Sequence, residues 1–145
     1  MADAADLPED VRLATDRVAI QELTASYMWA LGDRDWGAWR RVFVDDAHLD
    51  YSTAGGPVGD VATAAAWLES TLSGFAAVVG HGADVVVRFD GDDRASVRSH
   101  YRMTMKLDGD PPTRIEAIGW YADVVVRTAT GWRIAERVEH LTDLR

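Results

Sequence analysis

The chain has 145 residues, of which 48% are hydrophobic and 27% charged, and it contains no cysteine. This composition fits one domain that buries its core without disulfides or cysteine-ligated zinc. The formal net charge of −9 and the lack of a basic stripe argue against a nucleic-acid or anionic-membrane partner. No apolar run approaches the roughly 18 residues of a membrane span, and the first residues lack signal-peptide features. We therefore expect a cytoplasmic protein with a single domain over residues 1–145, of which residues 1–8 are frayed.

The first third of the chain predicts two helices separated by a glycine. Pro8 suits the first position of a helix, and apolar residues then recur every three or four positions to about Leu31. Gly32 interrupts this pattern. A second helix is predicted from about Asp35 to Val44. Acids and aromatic residues cluster around the break, so this is where we expect a reactive group.

The rest of the chain predicts a short strand, a third helix and an antiparallel meander. A turn at residues 45–46 precedes a strand over residues 47–52, and the third helix is predicted over residues 59–74. From residue 78 the period of the pattern changes to two, which predicts four strands joined by short turns, over residues 78–89, 95–107, 113–128 and 132–141. Three helices followed by such a meander predict an α+β fold, in which a strongly curved sheet covered by helices encloses a pocket.

The sequence favours acid–base chemistry over other common kinds of catalysis. It has no cysteine nucleophile, no Gly-x-Ser-x-Gly elbow and no glycine-rich phosphate loop. The four histidines, at positions 48, 81, 100 and 140, lack the spacing of metal ligands. We therefore expect neither a cofactor nor a metal. The six tryptophans and four tyrosines are compatible with core packing alone or with an apolar pocket for a small organic ligand.

His81 is the most distinctive histidine, because it stands between two glycines at the apolar start of a strand, where an imidazole needs a partner. It either bonds a backbone carbonyl or acts as a general base whose other nitrogen is held by a carboxylate. Asp33 is the carboxylate that we pair with it. Alternatively Asp33 caps the second helix, a role for which Asp35 competes. Asp84 is a second candidate partner for His81.

Other side chains are predicted to line the pocket or the outer surface. Tyr27 lies on the apolar stripe of the first helix and must place its hydroxyl. His140 shares the parity of Ile134 on the last strand, and it either faces the pocket or lies at the strand end. The predicted substrate-binding set is Tyr51, Trp120, His140, Trp39 and Tyr101. The polar row Arg98, His100 and Arg102 is interpreted as an outer surface or a subunit contact, so a homodimer or homotrimer is expected.

The order of these features resembles a known family. The motifs are Ile20-x-x-Leu23-x-x-x-Tyr27, Asp35-Trp36, Phe43, Asp46-Ala47, Gly59, His81, Asp90-Gly91-Asp92, Ala95, Tyr101 and Gly131-Trp132-Arg133-Ile134. Together they are similar to the SnoaL-like branch of the nuclear-transport-factor-2-like (NTF2-like, ketosteroid isomerase-like) superfamily, over roughly residues 10–140. The resemblance implies a cone-shaped α+β barrel, with a curved mixed sheet wrapped by three helices. Members of the superfamily include polyketide cyclases, scytalone and bile-acid dehydratases, and hexachlorocyclohexane dehydrochlorinase.

The resemblance also implies catalytic roles. In the dehydratase and dehydrochlorinase branch, an Asp at the end of the first helix orients a His at the start of a strand. That His removes a proton while a tyrosine assists the leaving group, and these roles would fall on Asp33, His81 and Tyr27. The family places the Asp five residues after the tyrosine, where this chain has Gly32, and both Asp33 and His81 come one residue late. The interval of 48 residues (81 − 33) is retained, but Asp33 turns inward only if the helix ends or bulges at Gly32.

The sequence thus predicts a cofactor-independent lyase or isomerase that abstracts a proton from a small hydrophobic, cyclic substrate of polyketide, steroid or terpenoid type. An alternative, motivated by Gly32 at the usual Asp position, is a non-catalytic ligand-binding or assembly module of the same fold. A third interpretation uses His140 or Glu136 from the opposite wall of the pocket.

Overall fold

The computed structural model describes residues 6–145, so most of the segment predicted to be frayed, residues 1–5, lies outside the described part. The helices are α1 (Glu9–Asp33), α2 (Trp36–Arg41) and α3 (Val61–Leu72). The strands are β1 (Phe43–Asp50), β2 (Val58–Gly59), β3 (Ala77–Phe89), β4 (Arg94–Leu107), β5 (Thr113–Thr128) and β6 (Gly131–Leu144). They form one sheet in the order β2-β1-β6-β5-β4-β3, in which β1 and β6 run parallel and the other neighbours antiparallel. The predicted α+β class is confirmed. None of the helices in residues 6–145 has the length and apolar content needed to cross a bilayer.

Helix α1 ends two residues later than predicted. It continues through Gly32 to Asp33, and the chain turns at Arg34, which adopts a left-handed conformation with φ 56°. Asp35 then caps α2, because its carboxylate accepts a hydrogen bond from the Ala38 N–H at 2.9 Å. The predicted break at Gly32 is therefore wrong, and Asp33 keeps the direction that a regular helix gives it.

Strand β1 begins earlier than predicted. Asp45 and Asp46 were expected to form a turn, since paired acids are common in turns, but both lie within β1. The pairing of β1 with β6 is irregular between Phe43 and His48. An irregularity of this kind leaves extra residues of one strand unpaired within the ladder, and Asp45 and Asp46 lie in this stretch. Helix α3 begins after Asp60, whose side chain accepts a hydrogen bond from the Thr63 N–H at 2.8 Å.

The concave face of the sheet packs against α1 and forms the core. Alternate residues of β4 from Ala95 to Met105 are buried, which confirms the period-two pattern. The apolar stripe of α1 is buried as predicted, with Ile20, Leu23, Tyr27, Ala30 and Leu31. Helix α1 thus lies along the concave side of the sheet and leaves a cavity towards α3.

Two irregularities change which side chains face the core. The β5–β6 register shifts between Val124 and Val125, so that Ile134 is buried before the shift and Arg137 and Glu139 are buried after it. The prediction that His140 shares a face with Ile134 is wrong for this reason. In β3 the register shifts between Ala83 and Val86, and there Asp84 contacts His100 Nδ1 at 3.1 Å rather than His81.

Candidate active site in the cone

A cavity of about 260 Å³ lies between the concave face of the sheet, α1 and α3. This is close to the lower end of the range for small-molecule pockets, roughly 300 Å³. Apolar side chains such as Leu68, Phe75, Met103 and Ile115 form most of its wall. Glu139 is the carboxylate among the residues that line it. The cavity therefore suits a small, mainly hydrophobic molecule.

Four tyrosines from different parts of the chain line this cavity. The hydroxyls of Tyr27 and Tyr51 are hydrogen-bonded at 2.9 Å. The rings of Tyr101 and Tyr121 stack with centroids 4.6 Å apart, and the ring of Tyr27 meets Tyr121 edge-on at 5.5 Å. The tyrosines thus form one continuous wall that carries hydroxyl groups into an apolar space.

The position of Tyr101 depends on a glycine in the neighbouring strand. A Cβ added at Gly119 would lie 2.8 Å from the Tyr101 hydroxyl oxygen and would overlap the carbonyl oxygen of His140. The Tyr101 side chain can therefore lie against β5 because residue 119 has no side chain. Its hydroxyl is buried and makes no hydrogen bond within residues 6–145.

Glu139 carries the carboxyl group that lines the cavity. The Thr53 hydroxyl donates to the Glu139 carbonyl at 2.9 Å and accepts from the Leu141 N–H at 3.0 Å, which fixes this part of β6. The Glu139 Oε2 atom has no hydrogen-bond partner among the described residues. Burial raises the pKa of Glu139 above its usual value, and nearby Tyr101 and Arg137 oppose part of this rise. The Tyr101 hydroxyl is close to the carboxyl, although its geometry falls short of a hydrogen bond. A carboxyl of this kind is suited to proton transfer.

Three of the residues predicted for the site line the cavity, namely Tyr27, Tyr51 and Tyr101. Trp39 is fully buried behind this wall, with its ring 6.0 Å from that of Tyr27 and 4.7 Å from that of Phe43. Trp39 therefore supports the wall from the side away from the cavity.

The predicted partners Asp33 and His81 lie outside the cavity. Both are exposed and border an open groove of about 360 Å³ between α1 and β3. Among the contacts of residues 6–145, no hydrogen bond or ion pair within 4.0 Å joins their side chains. Because α1 continues through Gly32, the condition for Asp33 to turn inward is not met. The catalytic role of Asp33 and His81 stays a prediction, and the hydrogen bond between their side chains that it requires is absent from residues 6–145.

His81 stands one residue after the position that the resemblance implies for the family histidine, and this changes the face of the strand on which it lies. Relative to Tyr27, the resemblance places the family histidine at position 80, which is glycine here. A Cβ at Gly80 would come within 2.5 Å of the Met28 Cε atom, so Met28 occupies the space of a side chain at this position. Successive residues of a strand point to opposite faces. His81 therefore cannot replace a residue that faces α1 from position 80.

Trp120 and His140 lie on the convex face of the sheet. Their rings stack with centroids 3.8 Å apart and planes 11° apart, and the Arg98 guanidinium lies 4.2 Å from the Trp120 ring centroid. Strand alternation explains the position of Trp120, because its neighbour Tyr121 faces the cavity. Neither residue lines the cavity that they were predicted to form. His100 is exposed on the same outer face, and the expected contact between subunits there stays a prediction.

Sequence reasoning missed Glu139, Tyr121 and Trp67, all of which line the cavity. The alternation of Tyr121 with Asp123 and Val125 in β5 was a usable signal, since all three are buried. Glu139 had no such signal, because the register shift in β6 is not visible in the pattern. No cluster of three or more His, Asp or Glu side chains that could hold a metal ion occurs in residues 6–145.

The chain belongs to the SnoaL-like family, since the SnoaL-like domain matches residues 12–138. It is 37% identical over 125 residues to the uncharacterized protein Rv2910c of Mycobacterium tuberculosis, which covers 86% of this chain and 84% of that protein. Among solved structures, the Kfla4162 protein from Kribbella flavida has a TM-score of 0.82 and 29% identity, and the match covers 92% of this chain and 95% of that one. The hexachlorocyclohexane dehydrochlorinase LinA-type3 from Novosphingobium barchaimii has a TM-score of 0.77 and 17% identity, covering 92% and 90%. At that identity the likeness shows the fold alone, and it agrees with the predicted cone-shaped NTF2-like fold.

Proposed function

We propose that this protein is a cofactor-independent lyase or isomerase that abstracts a proton from a small hydrophobic, cyclic substrate bound in the cone. Glu139 is the proton acceptor in this proposal. The observation that carries it is the buried Glu139 carboxyl, whose Oε2 atom lacks a partner, beside the equally unpartnered Tyr101 hydroxyl in an apolar cavity. Buried polar atoms without partners are uncommon in proteins, and in this proposal the bound substrate supplies the partner that these two atoms lack.

The chemistry follows from the position of the two groups. Ionised Glu139 takes a proton from a carbon next to a carbonyl or a leaving group, and the electron pair of the C–H bond passes into the substrate. The Tyr101 hydroxyl donates a hydrogen bond to the oxygen on which negative charge develops. In an elimination the leaving group departs with its electron pair. In an isomerisation Glu139 returns the proton to a different carbon.

The environment favours this use of a carboxylate. Burial raises the pKa of Glu139, so its ionised form is a stronger base than an exposed carboxylate. The wall is largely apolar, and hydrogen bonds from Tyr101 or from the Tyr27–Tyr51 pair are stronger in apolar surroundings than in water. Within that pair one hydroxyl donates to the other, and the hydroxyl that accepts can donate its own proton to a second polar group of the substrate.

A second function is a ligand-binding module of the same fold. Gly32 and Gly80 occupy the positions at which the resemblance implies Asp and His, and this favours binding without turnover by the family chemistry. The two functions share the cavity and differ in whether Glu139 exchanges a proton with the ligand.

The test measures the turnover of a panel of cyclic ketones, alcohols and halides by variants of the cavity and of the groove between α1 and β3. Glu139→Gln is expected to abolish turnover while the ligand still binds, and His81→Ala and Asp33→Asn are expected to leave turnover unchanged. Loss of turnover in His81→Ala with an active Glu139→Gln variant would contradict the proposal and support the predicted dyad. Binding of the ligand by the native chain without turnover would support the module.

A further inference from the structure

A buried ion pair lies beside the cavity, and the chemistry proposed above makes no use of it. The Arg137 Nε and Nη2 atoms donate to the two carboxylate oxygens of Asp123 at 2.8 and 2.7 Å. The side chains are 1% and 0% exposed. The third guanidinium nitrogen, Nη1, has no hydrogen-bond partner in the described part of the chain.

The Arg137 guanidinium packs against two tyrosine rings of the cavity wall. Its central carbon lies 4.0 Å from the ring centroid of Tyr27 and 3.9 Å from that of Tyr121. A guanidinium group is planar and stacks on aromatic faces, and its two bonds to Asp123 fix the plane. Tyr27 in turn bonds the Tyr51 hydroxyl, so Arg137 packs against the group of tyrosines that lines the cavity.

A buried ion pair is not by itself a sign of added stability. Two charges lose their hydration when they are buried, so an apolar pair of similar volume is often as stable or more stable. Arg137 is two residues from Glu139 on the same face of β6, a separation of about 7 Å along a strand. The cation is thus close enough to act on the carboxyl that the proposed reaction uses.

We infer that the Asp123–Arg137 pair is a positioning element of this site, in which Arg137 holds the rings of Tyr27 and Tyr121 and supplies the positive charge that favours ionised Glu139. This inference rests on the proposed function, in which ionised Glu139 accepts the proton. Arg137 is a positioning residue because it does not line the cavity, and Asp123 fixes its plane.

The direction of the electrostatic effect agrees with this geometry. Burial raises the pKa of Glu139, and Arg137 opposes that rise. Burial likewise raises the pKa of Tyr51 and of Tyr121, and Arg137 opposes the rise in both. The ionisable groups around Glu139 come from four strands or helices and one loop, and they are Tyr27, Tyr51, Tyr101, Tyr121, Asp123 and Arg137.

The test replaces both members of the pair, because removal of one would leave an uncompensated buried charge. Asp123→Leu with Arg137→Met gives an apolar pair, and Asp123→Asn with Arg137→Gln gives a neutral polar pair. The ¹³C signal of the Glu139 carboxyl is titrated in each folded variant and assigned with Glu139→Gln. We expect its inflection to move upward by about one pH unit. In the active protein, kcat is expected to fall about tenfold with the pH profile displaced in the same direction, while KM changes little.

A second buried acidic residue that pairs with an arginine, Asp16, provides a matched control. Asp16 accepts two hydrogen bonds from Arg127, whose guanidinium lies 4.6 Å from the Trp132 ring centroid. Asp16→Asn with Arg127→Gln is expected to change the melting temperature and to leave the Glu139 titration unmoved. An equal movement in this control would show a general effect of destabilisation and would overturn the inference.

Two further results would also overturn it. One is an unchanged Glu139 inflection in a folded double variant. The other is failure of both double variants to fold while the control variant folds, which would assign the pair to folding alone. The titration needs no turnover. A displaced inflection in a protein without activity would therefore support the inference and contradict the proposed function.

Discussion

The end of the Met28 side chain occupies the space beside Gly80, because a Cβ at residue 80 would come within 2.5 Å of the Met28 Cε atom. The position at which the resemblance implies a histidine thus faces methionine, in the groove between α1 and β3 and not in the cavity. Acid–base chemistry in this chain is consequently expected from β6, where Glu139 is buried and lines the cavity.

Gly80→Ala is expected to lower the free energy of unfolding by about 1 kcal/mol, since the flexible Met28 side chain must move. Met28→Ala alone is expected to cost about 2 kcal/mol or more through the cavity that it leaves. The double variant should cost less than the sum, because the new methyl group enters that space. Urea denaturation of the four proteins measures this coupling, and strict additivity would contradict the contact.

Gly119→Ala is expected to destabilise the protein by about 1–3 kcal/mol and to displace Tyr101, because the new methyl group meets both the Tyr101 hydroxyl and the His140 carbonyl. Gly74→Ala is the matched control, since a Cβ there has no heavy atom within 4 Å. Thermal unfolding and the near-ultraviolet circular dichroism of the stacked tyrosines check this. Equal melting temperatures in the two variants would refute the proposed requirement for a glycine at position 119.

Glu139 is expected to make the protein less stable as the pH rises. Its pKa in the folded chain is raised above the usual 4.5, so the folded state retains a proton that the unfolded state releases. The free energy of unfolding therefore falls between pH 4.5 and the raised pKa and stays lower above it. Glu139→Gln removes this loss and should be more stable than the native chain at neutral pH.

The control for this comparison is Glu136→Gln, an exposed carboxyl on the same strand. Melting temperatures of the three proteins from pH 4 to pH 9 provide the measurement. If the difference between the native chain and Glu139→Gln were independent of pH, the raised pKa of Glu139 would be wrong.

Asp16 is expected to stabilise the fold at neutral pH and to lose this effect in acid. Burial alone would raise its pKa, but hydrogen bonds from Arg127 and from the Trp132 indole hold the pKa below the usual 3.8. The stabilisation is thus present above pH 3.8 and is lost as the pH falls through the lowered pKa. Asp16→Ala should cost about 2 kcal/mol at pH 7, a value reduced because Arg127 is one-third exposed.

Acid denaturation of Asp16→Asn and the native chain checks this prediction. The two curves should converge towards low pH, and the variant should keep the catalytic properties of the native chain at neutral pH. A constant difference at every pH would contradict the assigned role of the ionised carboxylate.

The fold was largely predictable because its signals are regular. The alternation in β4 from Ala95 to Met105 and the stripe of α1 from Ile20 to Leu31 repeat over many residues, and both are buried as predicted. The cone shape followed from the pattern of strands and helices, and the resemblance and the SnoaL-like match to residues 12–138 agree with it.

The candidate site was less predictable because it depends on local departures from regularity. A register shift opposite Val124 and Val125 exchanges the faces of β6, so Glu139 rather than His140 faces the cavity. Helix α1 likewise ends because Arg34 adopts a left-handed conformation. This conformation is usually marked in a sequence by glycine, and here the residue is arginine. Single-residue events of this kind reverse a side chain without changing the overall pattern.

The most direct test of the central claim is hydrogen exchange at carbon in a bound substrate. A cyclic ketone that binds the native chain is incubated in D₂O, and loss of the signal of the hydrogen next to the carbonyl is followed by NMR. We expect exchange with the native chain, a loss of at least about 100-fold with Glu139→Gln, and normal exchange with His81→Ala. Undiminished exchange in Glu139→Gln with the ligand bound would contradict the claim that Glu139 accepts the proton.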